Sequence, residues 1–266
     1  HGQTIFHDSK NKITKQLGDG RLLSQLTQKK VIFDFRQNDL KNEGQGAPLT
    51  PIFHNVIVNK ILKTELNNSS FVIILNIGGI SNITQTINWD KFEKKNTYLR
   101  AADIGPGNCL IDDWIRKNSK ENYDMNGEIA EVGKTDELVL NQALENFDIN
   151  PPYKESLDIK DFDVSFVKGL TLENGTSTLT DLTAIQISKA LNYFSNPKGK
   201  TICLICGGGR KNRYLMRSIM KLNEKIIFYP IDKFGIKGDF VESQAFGYLA
   251  IRTLLDLPIT FPNTTS

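Results

Sequence analysis

Three apolar runs in this chain each stop at a turn containing glycine, and that repeated device restricts the fold more than any other feature. Phe71-Val72-Ile73-Ile74-Leu75 leads into Asn76-Ile77-Gly78-Gly79. Leu99 to Ala102 leads into Asp103-Ile104-Gly105-Pro106-Gly107-Asn108, and Thr201 to Cys206 leads into Gly207-Gly208-Gly209. Short continuous apolar runs bounded by turn residues read as buried strands. After the first turn, Ile83, Gln85 and Ile87 alternate with Thr84 and Thr86, which predicts the return arm of a hairpin. After the second, Leu110, Ile111, Trp114 and Ile115 share one helical face; after the third, a helix runs from Asn212 to Leu222. Hairpin, third strand, helix, then a distant strand, glycine loop and helix make an α/β fold.

The remaining segments fit around that frame. Residues 1–30 read as loop-rich, with a turn at Gln16 to Gly20 and a short helix starting near Arg21. Val31 to Phe35 predicts a strand with Asp34 and Arg36 at its end, followed by a polar loop through Gly44-Gln45-Gly46-Ala47-Pro48. Apolar spacing predicts a helix from Ile52 to Leu66. Asn67-Asn68-Ser69-Ser70 breaks the pattern, so we expect one unit over 1–69 and a second over 70–266. Residues 119–175 are polar and irregular, with a helix over 136–147 closed by Pro151-Pro152. A helix over 180–194, a strand at 226–229 and a last helix over 240–255, which can return to the first unit, complete the chain.

Composition narrows the function classes. With 39% hydrophobic and 24% charged residues, the 266-residue chain is of globular type. No apolar run approaches the roughly 20 residues of a membrane span, so no membrane partner is expected. The net charge of +3 is weak and scattered, which argues against nucleic acid. Cys203 and Cys206 lie an odd number of positions apart on a strand, so they face opposite ways and hold no common metal. With Cys109 they read as reduced thiols of a cytoplasmic protein. His1-Gly2-Gln3-Thr4 reads like the middle of a longer chain, and we expect a preceding segment.

Asp103 is the candidate catalytic group. Next to the positive end of the following helix, its carboxylate is expected to stay ionised near neutral pH and to accept a proton from a water or hydroxyl placed against it. The alternative is an Asp that caps the helix or stiffens the turn. Gly78-Gly79 lets backbone N–H groups approach an anion closely. It is no P-loop, because no Lys-Ser/Thr follows. Gly207-Gly208-Gly209 allows a flat ligand to lie on the backbone, and G-x-G-x-x-G is absent.

In that order the loops have the layout of the actin, Hsp70 and sugar-kinase fold. The sequence resembles one family of it closely, the anhydro-N-acetylmuramic acid kinases. The resemblance rests on His1-Gly2-Gln3-Thr4, Gln16-Leu17-Gly18-Asp19, Asp34-Phe35-Arg36 with Asp39, and Gly44 to Leu49. It continues through Asn76 to Asn82, Asp103 to Asn108, Leu182-Thr183-Ala184, Cys206 to Gly209, and Gly238-Asp239 with Glu242. It implies a two-lobed, actin-like (ribonuclease H-like) α/β fold whose first lobe is incomplete here. It also implies a cytoplasmic enzyme of cell-wall recycling. Such enzymes use ATP with Mg²⁺ to open 1,6-anhydro-N-acetylmuramic acid with water and phosphorylate it at C6.

By the same resemblance Asp103 activates the water. Asn76, Gly78 and Gly79 meet phosphates, while Gly207, Gly208, Gly209 and Asn212 meet the nucleoside. The sugar is walled by His1, Gly2, Gln3, Thr4, Gln45, Gly46, Ala47, Pro48, Gly105, Pro106 and Asn108. Asp34 and Arg36 either hold the sugar or pair to brace the loop. Metal ligands are not assigned, and monomer and homodimer both stay open. The family's Gly-Thr-Ser-x-Asp-Gly phosphate loop has no counterpart: Gly175-Thr176-Ser177 imitates three residues, but Thr178-Leu179 follows. Pro152-Tyr153-Lys154-Glu155-Ser156 departs by insertions from the family's Pro-Lys-Ser, so Lys154 and Ser156 carry no assigned role. A same-fold kinase for another sugar or a carboxylate, or a non-catalytic binding remnant, are the rival readings.

Overall fold

A computed structural model describes residues 3–64, 66, 71–86, 99–147, 149–197 and 199–265. The chain opens with an antiparallel hairpin of β1 (Thr4–Asp8) and β2 (Ile13–Gln16), where the sequence suggests loops. The strands are short and largely exposed, so no buried apolar run announces them; β-branched Thr4, Ile5, Ile13 and Thr14 are the only local signal. Helix α1 (Gly20–Thr27) starts where the Asp19 carboxylate accepts the N–H groups of Arg21 and Leu22. The strand expected at 31–35 is absent: Val31 to Asp34 form no ladder, and Asp34 has φ of 60°. An apolar run becomes a strand only where another strand offers its edge, and none lies alongside among the described residues. After α2 (Gln37–Lys41), a loop with a cis Ala47–Pro48 bond leads into α3 (Pro51–Thr64). The boundary expected at 67–70 lies outside the described residues.

The centre is a five-stranded sheet. Strands β3 (Phe71–Ile77), β4 (Ile80–Thr86) and β5 (Arg100–Pro106) form an antiparallel meander. Helices α4 (Cys109–Asn118), α5 (Glu128–Val132), α6 (Glu137–Asn146) and the long α7 (Leu172–Phe194) follow. Then come β6 (Thr201–Cys206), α8 (Arg213–Leu222), β7 (Ile226–Pro230) and α9 (Val241–Leu254). The spatial order is β5-β4-β3-β6-β7, with β6 parallel to both β3 and β7. Counted within the sheet this is 3-2-1-4-5 with only the second strand reversed, the ribonuclease H-like arrangement of a mixed α/β fold.

Helices cover both faces, which is why β3 and β6 are apolar without alternation. On one face Ile73, Leu75, Ile83, Ala102, Ile104 and Cys203 pack against Ile187 and Leu191 of α7 and Leu215 and Ile219 of α8. On the other, Val72, Ile74, Leu204 and Cys206 pack against Val58 and Ile61 of α3. The two cysteines thus point to opposite faces, as their spacing predicts. Each fully buried aliphatic side chain contributes about 1.5–3 kcal/mol. Helix α9 returns across the molecule, where Leu249 is buried with Phe35, Leu49 and Ile52. Gly175-Thr176-Ser177 lies buried inside α7, so it supplies no phosphate loop.

Candidate active site

Asp103 belongs to strand β5 itself, four residues before the turn ends at Gly107, and not to the helix terminus that its sequence context suggests. A bulge accounts for this. Ser81 pairs with Gly105 and Asn82 with Asp103, so Ile104 is skipped in the ladder. Bulges re-aim side chains next to functional sites. Asp103 is only 8% exposed. Its Oδ2 accepts the Leu157 N–H at 3.0 Å and the Ser156 hydroxyl at 3.4 Å. Burial pushes its pKa up to about 6, held from rising further by the Leu157 amide, the positive charge of Arg36 and the Ser156 hydroxyl. The expectation of a helix-stabilised carboxylate is therefore corrected: this acid is ionised at pH 7, but sits close enough to neutrality to take up a proton.

Asp103 opens into a cavity of about 140 Å³ walled by Gln45, Ala47, Pro48, Tyr153, Ser156 and Thr265, among others. A chain of polar contacts fixes this wall. The Gln45 amide donates to the Lys154 carbonyl at 2.5 Å and accepts the Ser156 N–H at 2.8 Å, tying the 44–48 loop to the segment that holds Asp103. Buried Asp39 accepts the Gly46 N–H at 2.7 Å and the Thr265 hydroxyl at 2.9 Å. Arg36 donates to the Gly46 carbonyl, and a His7 ring nitrogen lies 2.9 Å from the Gln45 carbonyl.

The three glycine turns meet at one end of the sheet. Asn108 N–H donates to the Gly78 carbonyl at 2.8 Å, and Gly107 N–H to the Gly79 carbonyl at 2.9 Å. A β-carbon on Gly107 would lie 2.2 Å from the Gly78 carbonyl oxygen, so only glycine lets the two turns touch. Gly207, with φ of 82°, rests against Asn76 and Ile77; Gly209 rests against Ile77 and Asn108. Beside this junction a second cavity, of about 320 Å³, is lined by Asn108, Asp112, Asp124, Gly208, Lys211 and Asn212, among others. The segment from Ser156 to Ile159 spans the two regions: Ser156 and Leu157 hold Asp103, and Ile159 lies beside Gly79.

The sequence-derived candidates divide accordingly. Gln45, Ala47 and Pro48 line the Asp103 cavity, Gly46 is a backbone anchor beneath it, and Arg36 acts on Asp103 electrostatically. Asn108, expected at the sugar, does not line the Asp103 cavity but the second one, with Gly208 and Asn212, although the Asn212 side chain also caps α8 by accepting the Leu215 N–H. Asn76, Gly78, Gly79, Gly207 and Gly209 build the junction. Gly105 and Pro106 are buried, Gly105 against Gln186, and neither lines the Asp103 cavity. Asp34 lines a separate cavity between the hairpin and α1, while the Arg36 guanidinium donates to the Gly46 carbonyl. Gln3 and Thr4 pair with Leu17 and Gln16 in the hairpin, and neither lines the Asp103 cavity; His1 and Gly2 lie outside the described residues. Ser156, Leu157, Asp112 and Lys211 are site residues that sequence reasoning does not find. The only trace of the first two is the interrupted Pro152 to Ser156 motif.

Fold and paired cavities define a ribonuclease H-like α/β protein with a buried acid beside a junction of glycine turns. The family model "Anhydro-N-acetylmuramic acid kinase" matches residues 1–266. A protein of that name from Pelagibacter ubique is 53% identical over all of this chain and 69% of its own length. Another from Brucella anthropi is 38% identical over all of this chain and 68% of its own. A solved structure, the activator of the 2-hydroxyisocaproyl-CoA dehydratase from Clostridium difficile with bound ADPNP, covers 77% of this chain and 69% of that one. Its TM-score of 0.41 and 11% identity make it too distant to argue from. The chain belongs to the anhydro-N-acetylmuramic acid kinase family. It spans about two thirds of the length of these relatives. Among the described residues, no helix is long and apolar enough to cross a membrane.

Proposed function

We propose that this chain carries the base and the nucleoside-binding loops of a cytoplasmic anhydro-N-acetylmuramic acid kinase of cell-wall recycling, in two lobes parted near residues 67–70. The observation that carries the reading is the buried Asp103, held by two donors at the wall of a polar cavity. Asp103 takes a proton from a water that attacks the anomeric carbon of the 1,6-anhydro-sugar. A C1–O bond forms to the water oxygen, the C1–O6 bond breaks, and O6 bonds the γ-phosphorus of ATP as the bond from that phosphorus to the departing ADP breaks. Gln45, Ala47 and Pro48 orient the sugar against the acid. The Gly78-Gly79 and Gly207-Gly208-Gly209 backbones, with Asn108 and Asn212, hold the nucleotide.

Among the described residues no group of three or more His, Cys, Asp or Glu can cage a metal ion. Mg²⁺ carried on the nucleotide phosphates would neutralise their charge. The phosphate side needs a loop that Gly175-Thr176-Ser177, inside α7, does not provide. Residues 1–266 alone are therefore expected to show no appreciable turnover, and turnover by them would contradict this. In the full gene product containing the chain, coupled ADP release with the anhydro-sugar tests the base. Asp103→Asn is expected to lower kcat by about 10²–10⁴-fold. Wild-type turnover in that variant refutes the role.

A further inference from the structure

Away from Asp103, a dense set of charge-assisted hydrogen bonds surrounds Arg210, in the short turn between β6 and α8. Its side chain is 8% exposed despite its charge. Nε and Nη2 grip the two carboxylate oxygens of Asp232 at 2.8 and 3.2 Å. Nη1 donates to Asp239 Oδ1 at 2.7 Å and to the Gly207 carbonyl at 2.8 Å. The acids are shared: Asp239 also receives Lys211 Nζ at 2.8 Å, and Asp232 the Gly238 N–H at 3.1 Å. Gly207 N–H in turn donates to the Gly238 carbonyl at 3.4 Å. Gly207 is thus gripped at both its N–H and its carbonyl. A β-carbon on Gly238 would come within 2.7 Å of the guanidinium, so the fit leaves no slack.

A guanidinium this buried needs an acceptor for each of its donors, and one of the acceptors here is the Gly207 carbonyl, which ties the charge to the conformation of the glycine loop. Three successive glycines carry no side chains to hold their conformation, and a free loop has to be ordered at the expense of binding energy. A planar guanidinium with several donors in a fixed fork suits that restraint. Gly208 and Lys211, the neighbours it steadies, line the second cavity.

We propose that Arg210 is a positioning residue for the nucleotide: it locks the Gly207 peptide so that the Gly208–Gly209 backbone is preset for the ligand. The proposal rests on reading that cavity as the nucleoside site. Asp232 and Asp239 are its anchors, and through Asp239 the glycine loop is joined to the segment that starts α9.

The test measures ADP and the anhydro-sugar separately by calorimetry in the full gene product, with Arg210→Ala, Arg210→Lys and Asp239→Asn. Arg210→Ala is expected to weaken ADP by about tenfold or more, as loss of a charged hydrogen bond predicts, with sugar affinity unchanged. Arg210→Lys keeps the charge without the fork and recovers part of the loss. Asp239→Asn leaves the Gly207 contact and has the smallest effect. Amide exchange of the 207–211 peptide without ligand is expected to speed up in the same order. Unchanged ADP affinity overturns the proposal, as does a parallel loss of ADP and sugar affinity that tracks the melting temperature. If Arg210→Ala fails to fold, the other two variants carry the comparison by the same criteria. If the parent binds no ADP, the nucleoside reading fails; exchange that stays at the parent's rate then rejects the restraint itself.

Discussion

An aspartate in the middle of a strand, with apolar neighbours on either side, is held there by specific donors or not at all. For Asp103 those donors are Leu157 N–H, the Ser156 hydroxyl and the charge of Arg36, all of which favour the ionised form, while burial opposes it more strongly. Catalysis that needs the ionised acid therefore has an acid limb. In the full gene product, kcat/KM should fall as pH drops through about 6, the value to which burial raises the group. Ser156→Ala removes a contact that lowers the pKa, so its limb should move to higher pH, and a pH–rate profile of the two proteins measures the shift. A limb that stays in place or moves to lower pH would show that the hydroxyl does not act on this carboxyl. Asp136 at the start of α6 accepts two N–H groups of its own helix through Oδ1, whereas the Oδ2 of Asp103 accepts its donors from the distant Ser156–Leu157 segment and caps no helix.

Glycines inside helices show how far an element can be understood from its own sequence. By intrinsic propensity, Gly→Ala in a helix gains about 1 kcal/mol. At Gly247 in α9 nothing lies within 4 Å of the would-be β-carbon, and Gly247→Ala should raise stability by that amount. At Gly175 in α7 the same atom falls 2.5 Å from the Trp114 indole, so Gly175→Ala should cost about 1–3 kcal/mol by overpacking. Urea unfolding of both variants measures the two signs, and equal signs would refute the packing argument. The sequence predicts helix at Gly247, inside 240–255, but not at Gly175, which precedes the helix expected over 180–194 and lies in the first turn of the observed α7; the partner across the interface sets the opposite signs of the two substitutions. The same limit runs through the whole reading. Elements that end in their own punctuation, such as β3, β6 and α8, are legible because apolar run, glycine and cap lie within one segment. Elements defined by a partner are not. The β1–β2 hairpin is exposed, the 31–35 run finds no edge, and the bulge that places Asp103 exists only in the β4–β5 pairing. At the site, the glycine junction and Gln45-Gly46-Ala47-Pro48 are legible as motifs. Ser156 and Leu157 come from more than fifty residues downstream of Asp103, and no local pattern announces which carboxylate they cover.

Across the whole molecule, two buried ionisable groups pull stability in opposite directions with pH, and they share strand β4. Asp103 pairs with Asn82, while His54 of α3 bonds the Thr84 hydroxyl at 2.7 Å. Burial lowers His54 from 6.5 to about 3, so the folded state keeps it neutral where the unfolded chain protonates. The unfolded state then binds more protons, and this group costs stability as pH falls from 6.5 toward 3. For Asp103 the folded value is raised from 3.8 to about 6, so the folded state binds more protons in that window. Stability from this group is therefore present at low pH and lost as pH rises through 6. Each slope is at most about 1.4 kcal/mol per pH unit. Relative to the parent, Asp103→Asn should gain stability progressively from pH 4 to 6 and hold the gain at neutrality. His54→Gln, neutral and able to bond Thr84, should gain relative to the parent in the opposite sense, most at the acid end. Taking differences from one parent cancels the exposed carboxylates, Asp232 and Asp239 among them, that titrate alike in all three proteins. Urea midpoints at a series of pH values between 4 and 7 give both difference curves. Curves that run parallel would mean that neither group is buried in the form that the fold describes.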